Sequence, residues 1–136
     1  MTDLDLYKET ILEEAAHPQC FGLLDNADAT ARYGNASCGD MFTVSVKFAN
    51  DRSTVAEIGW EGSGCAISTA AMSLVAQHAK KLPVPQILTL TVRDVADWLA
   101  IETVSPGRVS CVSAGLKALQ RAVSRCAPAS ASGGKA

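Results

Sequence analysis

Between Met41 and Trp60 two runs of apolar residues at alternate positions flank a polar turn, and from Ile67 apolar residues recur at helical spacing, so one stretch of chain commits the fold to a sheet overlaid by helices. Phe42, Val44, Val46 and Phe48 share one face of the first strand, with Thr43, Ser45 and Lys47 on the other. The polar turn Asn50-Asp51-Arg52-Ser53 and a second alternation from Thr54 through Ala56, Ile58 and Trp60 predict an antiparallel hairpin. Ile67, Ala70, Ala71, Leu74, Val75 and His78 then form an inward helical stripe, which places a helix start near Cys65, entered through Gly62 and Gly64. A sheet apolar on one face must be covered there. The expected fold class is therefore α+β, two-layer, with a small antiparallel sheet packed against several helices.

The flanks supply those helices. From Thr2 as N-cap, Leu4, Ile11, Leu12 and Ala15 share a helical side that should end before His17-Pro18. Cys20 to Ala31 reads as a loop, and Pro83 and Pro85 read as a break in the chain. Thr91-x-x-Asp94 is a capping-box pattern opening a helix with Val92, Val95, Ala96 and Leu99 inward. After the turn Ser105-Pro106-Gly107, Val112, Leu116, Leu119, Val123 and Cys126 recur on one side of a last helix over Val109 to Arg125. One domain is expected over residues 1–126, with the small, polar residues 127–136 as a disordered tail.

Composition narrows the function. With 48% hydrophobic and 19% charged residues the chain is globular in character, and it has no run of about 18 apolar residues that would span a bilayer. The start Met-Thr-Asp-Leu-Asp-Leu-Tyr-Lys-Glu is neither a secretory signal nor a transit peptide, so a cytoplasmic protein without a membrane partner is expected. The formal charge of −2 comes from interspersed acids and bases, and no basic block exists to track the phosphates of a nucleic acid. Five cysteines cannot all pair within one chain, and in a reducing compartment cysteines set among Gly and Asp point to metal or sulfur chemistry.

Three cysteines stand where the chain bends: Cys38 in Asn35-Ala36-Ser37-Cys38-Gly39-Asp40, Cys65 in Gly62-Ser63-Gly64-Cys65-Ala66-Ile67-Ser68, and Cys111 after Pro106-Gly107. The last two fall near expected helix N-termini, where free backbone N–H groups and the helix dipole favour thiolate. Three thiolates with Asp40 make the four ligands of a tetrahedral zinc site, or a soft shell for an iron–sulfur cluster with one exchangeable position. A carboxylate holds soft metal less firmly than a fourth thiolate would, which suits a site that releases its cargo. Arg108 would lower the thiol pKa values or steady a persulfide. Cys126 reads as core and Cys20 has no assigned role. His17 and His78 read as structural.

The ordered motifs Asn35-x-x-Cys38-Gly39-Asp40, Gly62-x-Gly64-Cys65-Ala66-Ile67-Ser68 and Arg108-x-x-Cys111 resemble those of the IscU/SufU/NifU N-terminal family, and Tyr7 with the His17-Pro18 to Gly22 region resembles its opening segment. The tail and parts of Lys80 to Val104 lie outside the resemblance. It implies a scaffold that receives sulfur from a cysteine desulfurase, holds iron or a [2Fe–2S] cluster on Cys38, Asp40, Cys65 and Cys111, and passes it to recipient apo iron–sulfur proteins. Zinc binding is also implied, Cys111 is the implied sulfur acceptor, and weak self-association is left open. Ser110 stands where IscU proteins carry a His before the third cysteine, and Val104-Ser105-Pro106-Gly107-Arg108 replaces their Leu-Pro-Pro-Val-Lys. Arg108-x-x-Cys111 resembles the SufU branch, yet the insertion usual there between the second and third cysteines is absent. Three readings follow: a scaffold and carrier rather than an enzyme, a zinc-dependent sulfurtransferase of SufU type, and a structural zinc domain serving only protein interaction.

Overall fold

A computed structural model describes residues 9–35, 39–50, 53–101, 104 and 106–125. Helix α1 spans Glu9–Ala16 and ends, as its sequence predicts, ahead of Pro18. Strands β1 (Ala29–Asn35), β2 (Asp40–Phe48) and β3 (Val55–Ser63) form an antiparallel sheet in the order β1-β2-β3. Helices α2 (Ala66–Ala79), α3 (Val84–Thr89), α4 (Val92–Trp98) and α5 (Val109–Arg125) follow, with a 3₁₀ turn at Pro106–Arg108 leading into α5. The α+β two-layer expectation holds.

Register explains the core. Val44 faces Trp60 and Val46 faces Ile58 across β2 and β3, so the two alternating apolar sets fall on one side of the sheet. There Phe42, Val44, Val46 and Trp60 are buried together with Ile11, Met72, Val75, Ile87, Leu99, Ile101 and Leu119 from the helical side and its connections. Each large side chain withdrawn from water contributes about 1.5–3 kcal/mol. The opposite face of β2 is met by the stretch before β1. Gly22 N–H donates to the Trp60 carbonyl (2.7 Å), and Leu24 N–H donates to Ser45 Oγ (3.0 Å), which buries that polar side chain with its hydrogen bonds made.

Three sequence readings need correction. The loop expected over Cys20 to Ala31 gives way at Ala29 to β1, whose weak strand formers are held by pairing Ala29 to Val46 and Asn35 to Asp40 on the open edge of β2. Pro83 and Pro85 start α3 rather than only breaking the chain, since the first turn of a helix needs no donor from either. His78 is exposed, not inward, and stacks flat on Trp98 with ring centroids 4.3 Å apart and planes 2° from parallel. Partial desolvation of the ring lowers the His78 pKa, and the negative charge of Glu14 opposes that shift. Thr91 and Asp94 form the expected capping box, with the Thr91 side chain accepting from Asp94 N–H and the Asp94 carboxylate accepting from Thr91 N–H (2.8 Å). The segment 127–136 and Cys126 lie outside the described residues.

Candidate functional site

The site is built at one end of the sheet. Asn35 pairs with Asp40 and Met41 with Ser63, so this end carries the close of β1, the start of β2 and the exit of β3 towards α2. Helix α5 runs along β1 in the opposite sense. Arg125 Nη1 donates to the Thr30 carbonyl (2.9 Å) and Arg121 Nη1 to that of Arg32 (2.8 Å), while Lys117 Nζ lies 5.5 Å from the centre of the Tyr33 ring. Moving towards the helix start therefore moves towards Asn35. The first turns of α2 and α5 arrive at the same end of the sheet.

Close contact between these helices fixes their level. A Cβ on Gly115 would lie 2.7 Å from Met72 Sδ and 3.0 Å from Met72 Cα, so only glycine lets α5 approach α2 this closely. One turn towards the N-terminus from that contact stand Ser68 on α2 and Cys111 on α5. Cys111 is buried, at 2% exposure, and Arg108 is half-buried in the turn ahead of α5. Cys38 lies outside the described residues, between Asn35 and Gly39, which flank it at this end of the sheet.

Asp40 and Cys65 are in direct contact. Cys65 is the N-cap of α2: its extended backbone turns the chain into the helix, and its sulfur accepts Ser68 N–H at 3.4 Å. Its own N–H points to Asp40 Oδ1 at 3.4 Å. Ser68 Oγ donates to the same Oδ1 at 2.9 Å and lies 3.0 Å from the Cys65 carbonyl. Gly64 closes the cradle, because a Cβ there would overlap both Ser68 Oγ and Asp40 Oδ1. Asp40 is 1% exposed, and its second oxygen, Oδ2, is buried without a hydrogen-bond partner among the described residues.

A buried carboxylate oxygen without a donor costs about 1–3 kcal/mol or more when the group is charged. A cation held at this point would satisfy it. The donor set fits the group inferred from the sequence: one buried carboxylate oxygen without a partner among the described residues, a half-buried thiol beside it, and a second thiol, likewise outside any disulfide, in the first turn of α5. Among the described residues no three of His, Cys, Asp and Glu stand close enough together to hold a metal ion, so the described constellation is the pair Asp40 and Cys65, with Cys111 at the same sheet end. Sequence reasoning passed over Ser68. The signal was present, since Ser68 is the polar member of the quoted cysteine motif on the inward side of a buried helix.

Comparison with known proteins follows the same lines. The family model described as NifU-like N terminal domain matches residues 6–130. The chain belongs to this family. It is 26% identical over 117 residues to an iron–sulfur cluster assembly scaffold protein IscU from Aquifex aeolicus, a match covering 86% of this chain and 73% of the relative. It is 27% identical over 136 aligned positions to the zinc-dependent sulfurtransferase SufU of Bacillus subtilis, covering 88% and 90% respectively. The fold is shared with the N-terminal part of a NifU-like protein from Brucella abortus, at a TM-score of 0.75 and 21% identity, over 88% of this chain and 92% of that one. Among the described residues no helix is long and apolar enough to cross a membrane.

Proposed function

We propose that this NifU-like N-terminal domain is an iron–sulfur cluster assembly scaffold whose cargo, iron or a [2Fe–2S] cluster, is held by Cys38, Asp40, Cys65 and Cys111. The observation that carries the proposal is Asp40 Oδ2, buried and without a donor among the described residues, in a carboxyl group that touches Cys65. Thiolates match soft iron, and the single carboxylate oxygen is the weaker bond, through which the cargo is released to recipient apo proteins. Relatives named as scaffolds support the same reading.

Sulfur arrives from a cysteine desulfurase. The thiolate of Cys111 attacks the outer sulfur of the donor's persulfide; a new S–S bond forms on Cys111, the donor's S–S bond breaks, and the donor cysteine leaves as thiolate. Cys111 is buried, so transfer requires local opening of the first turn of α5. Arg108, in the turn immediately before, supplies positive charge to the incoming anion. A carrier role of this kind needs neither nucleic acid nor membrane.

Ser110, standing ahead of Cys111, and the similarity to a zinc-dependent sulfurtransferase favour a second reading, in which the same residues hold zinc and one thiolate is freed to relay sulfur. Anaerobic reconstitution with ferrous iron, cysteine and a desulfurase separates the two. Visible cluster absorbance that disappears in Cys65→Ser supports the scaffold. Tight zinc, accelerated desulfurase turnover and no cluster bands would replace it with the relay.

A further inference from the structure

The Asp40 carboxyl group presents two unequal oxygens. Oδ1 is occupied twice, by the Ser68 hydroxyl at 2.9 Å and by Cys65 N–H at 3.4 Å, whereas Oδ2 has no donor among the described residues. The Ser68 side chain cannot easily turn away, because its residue is fully buried in the first turn of α2 and the Gly64 backbone stands directly against it. Nor can the carboxyl group rotate to offer Oδ1 outward without giving up both donors. The asymmetry is thus built into the apo protein by neighbours that belong to one short motif, Gly64 to Ser68.

We infer that Ser68 is a positioning residue that locks Asp40 into one-oxygen coordination, so that a thiophilic metal or cluster meets Oδ2 alone. This rests on the proposed metal-holding role of Asp40. A carboxylate free to swing would bind through both oxygens, raising the coordination number and strengthening the bond that must later break. With Oδ1 engaged by Ser68 and Cys65, only one metal–oxygen bond forms, and the site stays four-coordinate with thiolates as the other ligands. The hydroxyl also leaves less negative charge on the carboxylate to donate to the metal, a second contribution to a bond that yields.

The test uses cobalt(II) as the probe, added anaerobically to metal-free full-length protein, because its visible bands report coordination number without any cluster being made. Wild-type protein should show sulfur-to-cobalt charge transfer and the intense ligand-field bands of a four-coordinate ion. Ser68→Ala should keep the charge-transfer band but lose ligand-field intensity as the second oxygen enters, and Ser68→Thr, which restores the hydroxyl, should recover the wild-type spectrum. Cobalt affinity should rise in Ser68→Ala, because a second metal–oxygen bond forms and more charge is left on the carboxylate, whereas a fall in affinity, the usual result of removing a partner that merely orients a metal ligand, would count against the lock. In an Asp40→Ala background the Ser68→Ala change should have no further effect, since a residue acting only through Asp40 couples fully to it.

Identical spectra and affinities in folded wild-type and Ser68→Ala protein would overturn the inference while leaving the scaffold reading intact. Failure of wild-type protein to give any thiolate–cobalt band would overturn both. Should Ser68→Ala not fold, the wild-type protein decides alone: the infrared carboxylate stretches that appear on zinc loading should be widely split, as one-oxygen binding requires, and a narrow two-oxygen splitting would refute the lock.

Discussion

Replacing Asp40 by Ala separates a residue that holds the fold from one that holds a cargo. In the metal-free protein the change removes the Ser68 hydrogen bond at 2.9 Å and the longer Cys65 contact at 3.4 Å. Bonds to a charged acceptor contribute about 1.5–3 kcal/mol, while an orphaned buried oxygen such as Oδ2 costs a comparable 1–3 kcal/mol or more. Ser68 Oγ keeps the Cys65 carbonyl at 3.0 Å as an alternative acceptor. The loss and the relief nearly cancel, and apo Asp40→Ala should lie within about 1.5 kcal/mol of wild type, which is a Tm change below roughly 6 °C for a chain of this size.

Loading with zinc should reverse that near-equality. A ligand present at 100 times its Kd stabilises the folded state by about 2.7 kcal/mol, on the order of 10 °C here. If loss of the carboxylate weakens the site a hundredfold, the same free zinc only equals Kd and contributes about 0.4 kcal/mol, or roughly 2 °C. Differential scanning calorimetry on both proteins, with and without buffered zinc, reads all four midpoints. An apo Asp40→Ala protein weaker by about 3–5 kcal/mol, as when a buried charged pair loses one partner, together with an unchanged zinc shift, would show that Asp40 is a structural cap and refute the reasoning.

Gly115→Ala gains about 1 kcal/mol of helix propensity but forces a methyl group against Met72, at about 1–3 kcal/mol for overpacking. Its thermal melt should show a net loss of up to about 2 kcal/mol, and because α2 and α5 must part, cobalt or zinc affinity measured by titration should fall with it. Thr91→Ala removes one half of the α4 capping box and should cost about 1 kcal/mol in a denaturant titration, with no change in metal affinity because Thr91 bonds to Asp94 and to none of the proposed ligands described. Stability should also depend on pH through His78. Its folded pKa is lowered, so the unfolded chain takes up the proton more readily, and stability should be complete above the ordinary value of 6.5 and decline as pH falls through the folded pKa. The Tm difference between wild type and His78→Gln, followed from pH 8 to 5, should shrink or invert at the acid end; a constant difference would rule the histidine out.

How much of this was legible follows from what each pattern must satisfy. The β2–β3 pair could be read because Phe42, Val44, Val46, Ile58 and Trp60 face one core and alternate as the pleat demands. Helix α5 was legible to its ends for the analogous reason at helical period, and the capping box announced α4. Strand β1 was not legible. Ala29-Thr-Ala-Arg-Tyr-Gly-Asn holds only Thr30 and Tyr33 as good strand formers, and what makes it a strand is the free edge of β2, a tertiary fact. His78 failed for a related reason: Ile67 to Ala76 is buried almost all round, so no narrow stripe exists to extrapolate to the next turn.

For the site, types and order were legible and contacts were not. The cysteine motifs named Asp40 and Cys65 before their 3.4 Å contact was known. Ser68 escaped because a serine in a first helical turn looks like ordinary capping chemistry, and only coordinates reveal that its hydroxyl reaches a carboxylate in another strand.

The placement of this site also bears on how a domain can exchange cargo without unfolding. Every described residue proposed for it sits at an element terminus or in a short turn: Asp40 opens β2, Cys65 caps α2, Arg108 closes the 3₁₀ turn ahead of α5 and Cys111 lies in the first turn of α5. The core residues Phe42, Val44, Trp60, Met72 and Leu119 lie along the sheet and the helix bodies instead. Terminal turns open at a free energy well below that of global unfolding, so a partner can reach a buried Cys111 by fraying one turn while the packed body stays intact. The same division argues against a structural zinc domain, in which the metal would hold together a chain that lacked a core of its own. Chelation should therefore leave the far-ultraviolet circular dichroism of this protein unchanged, and collapse of that signal on metal removal would mean that the ion, rather than the apolar layer between sheet and helices, sustains the fold.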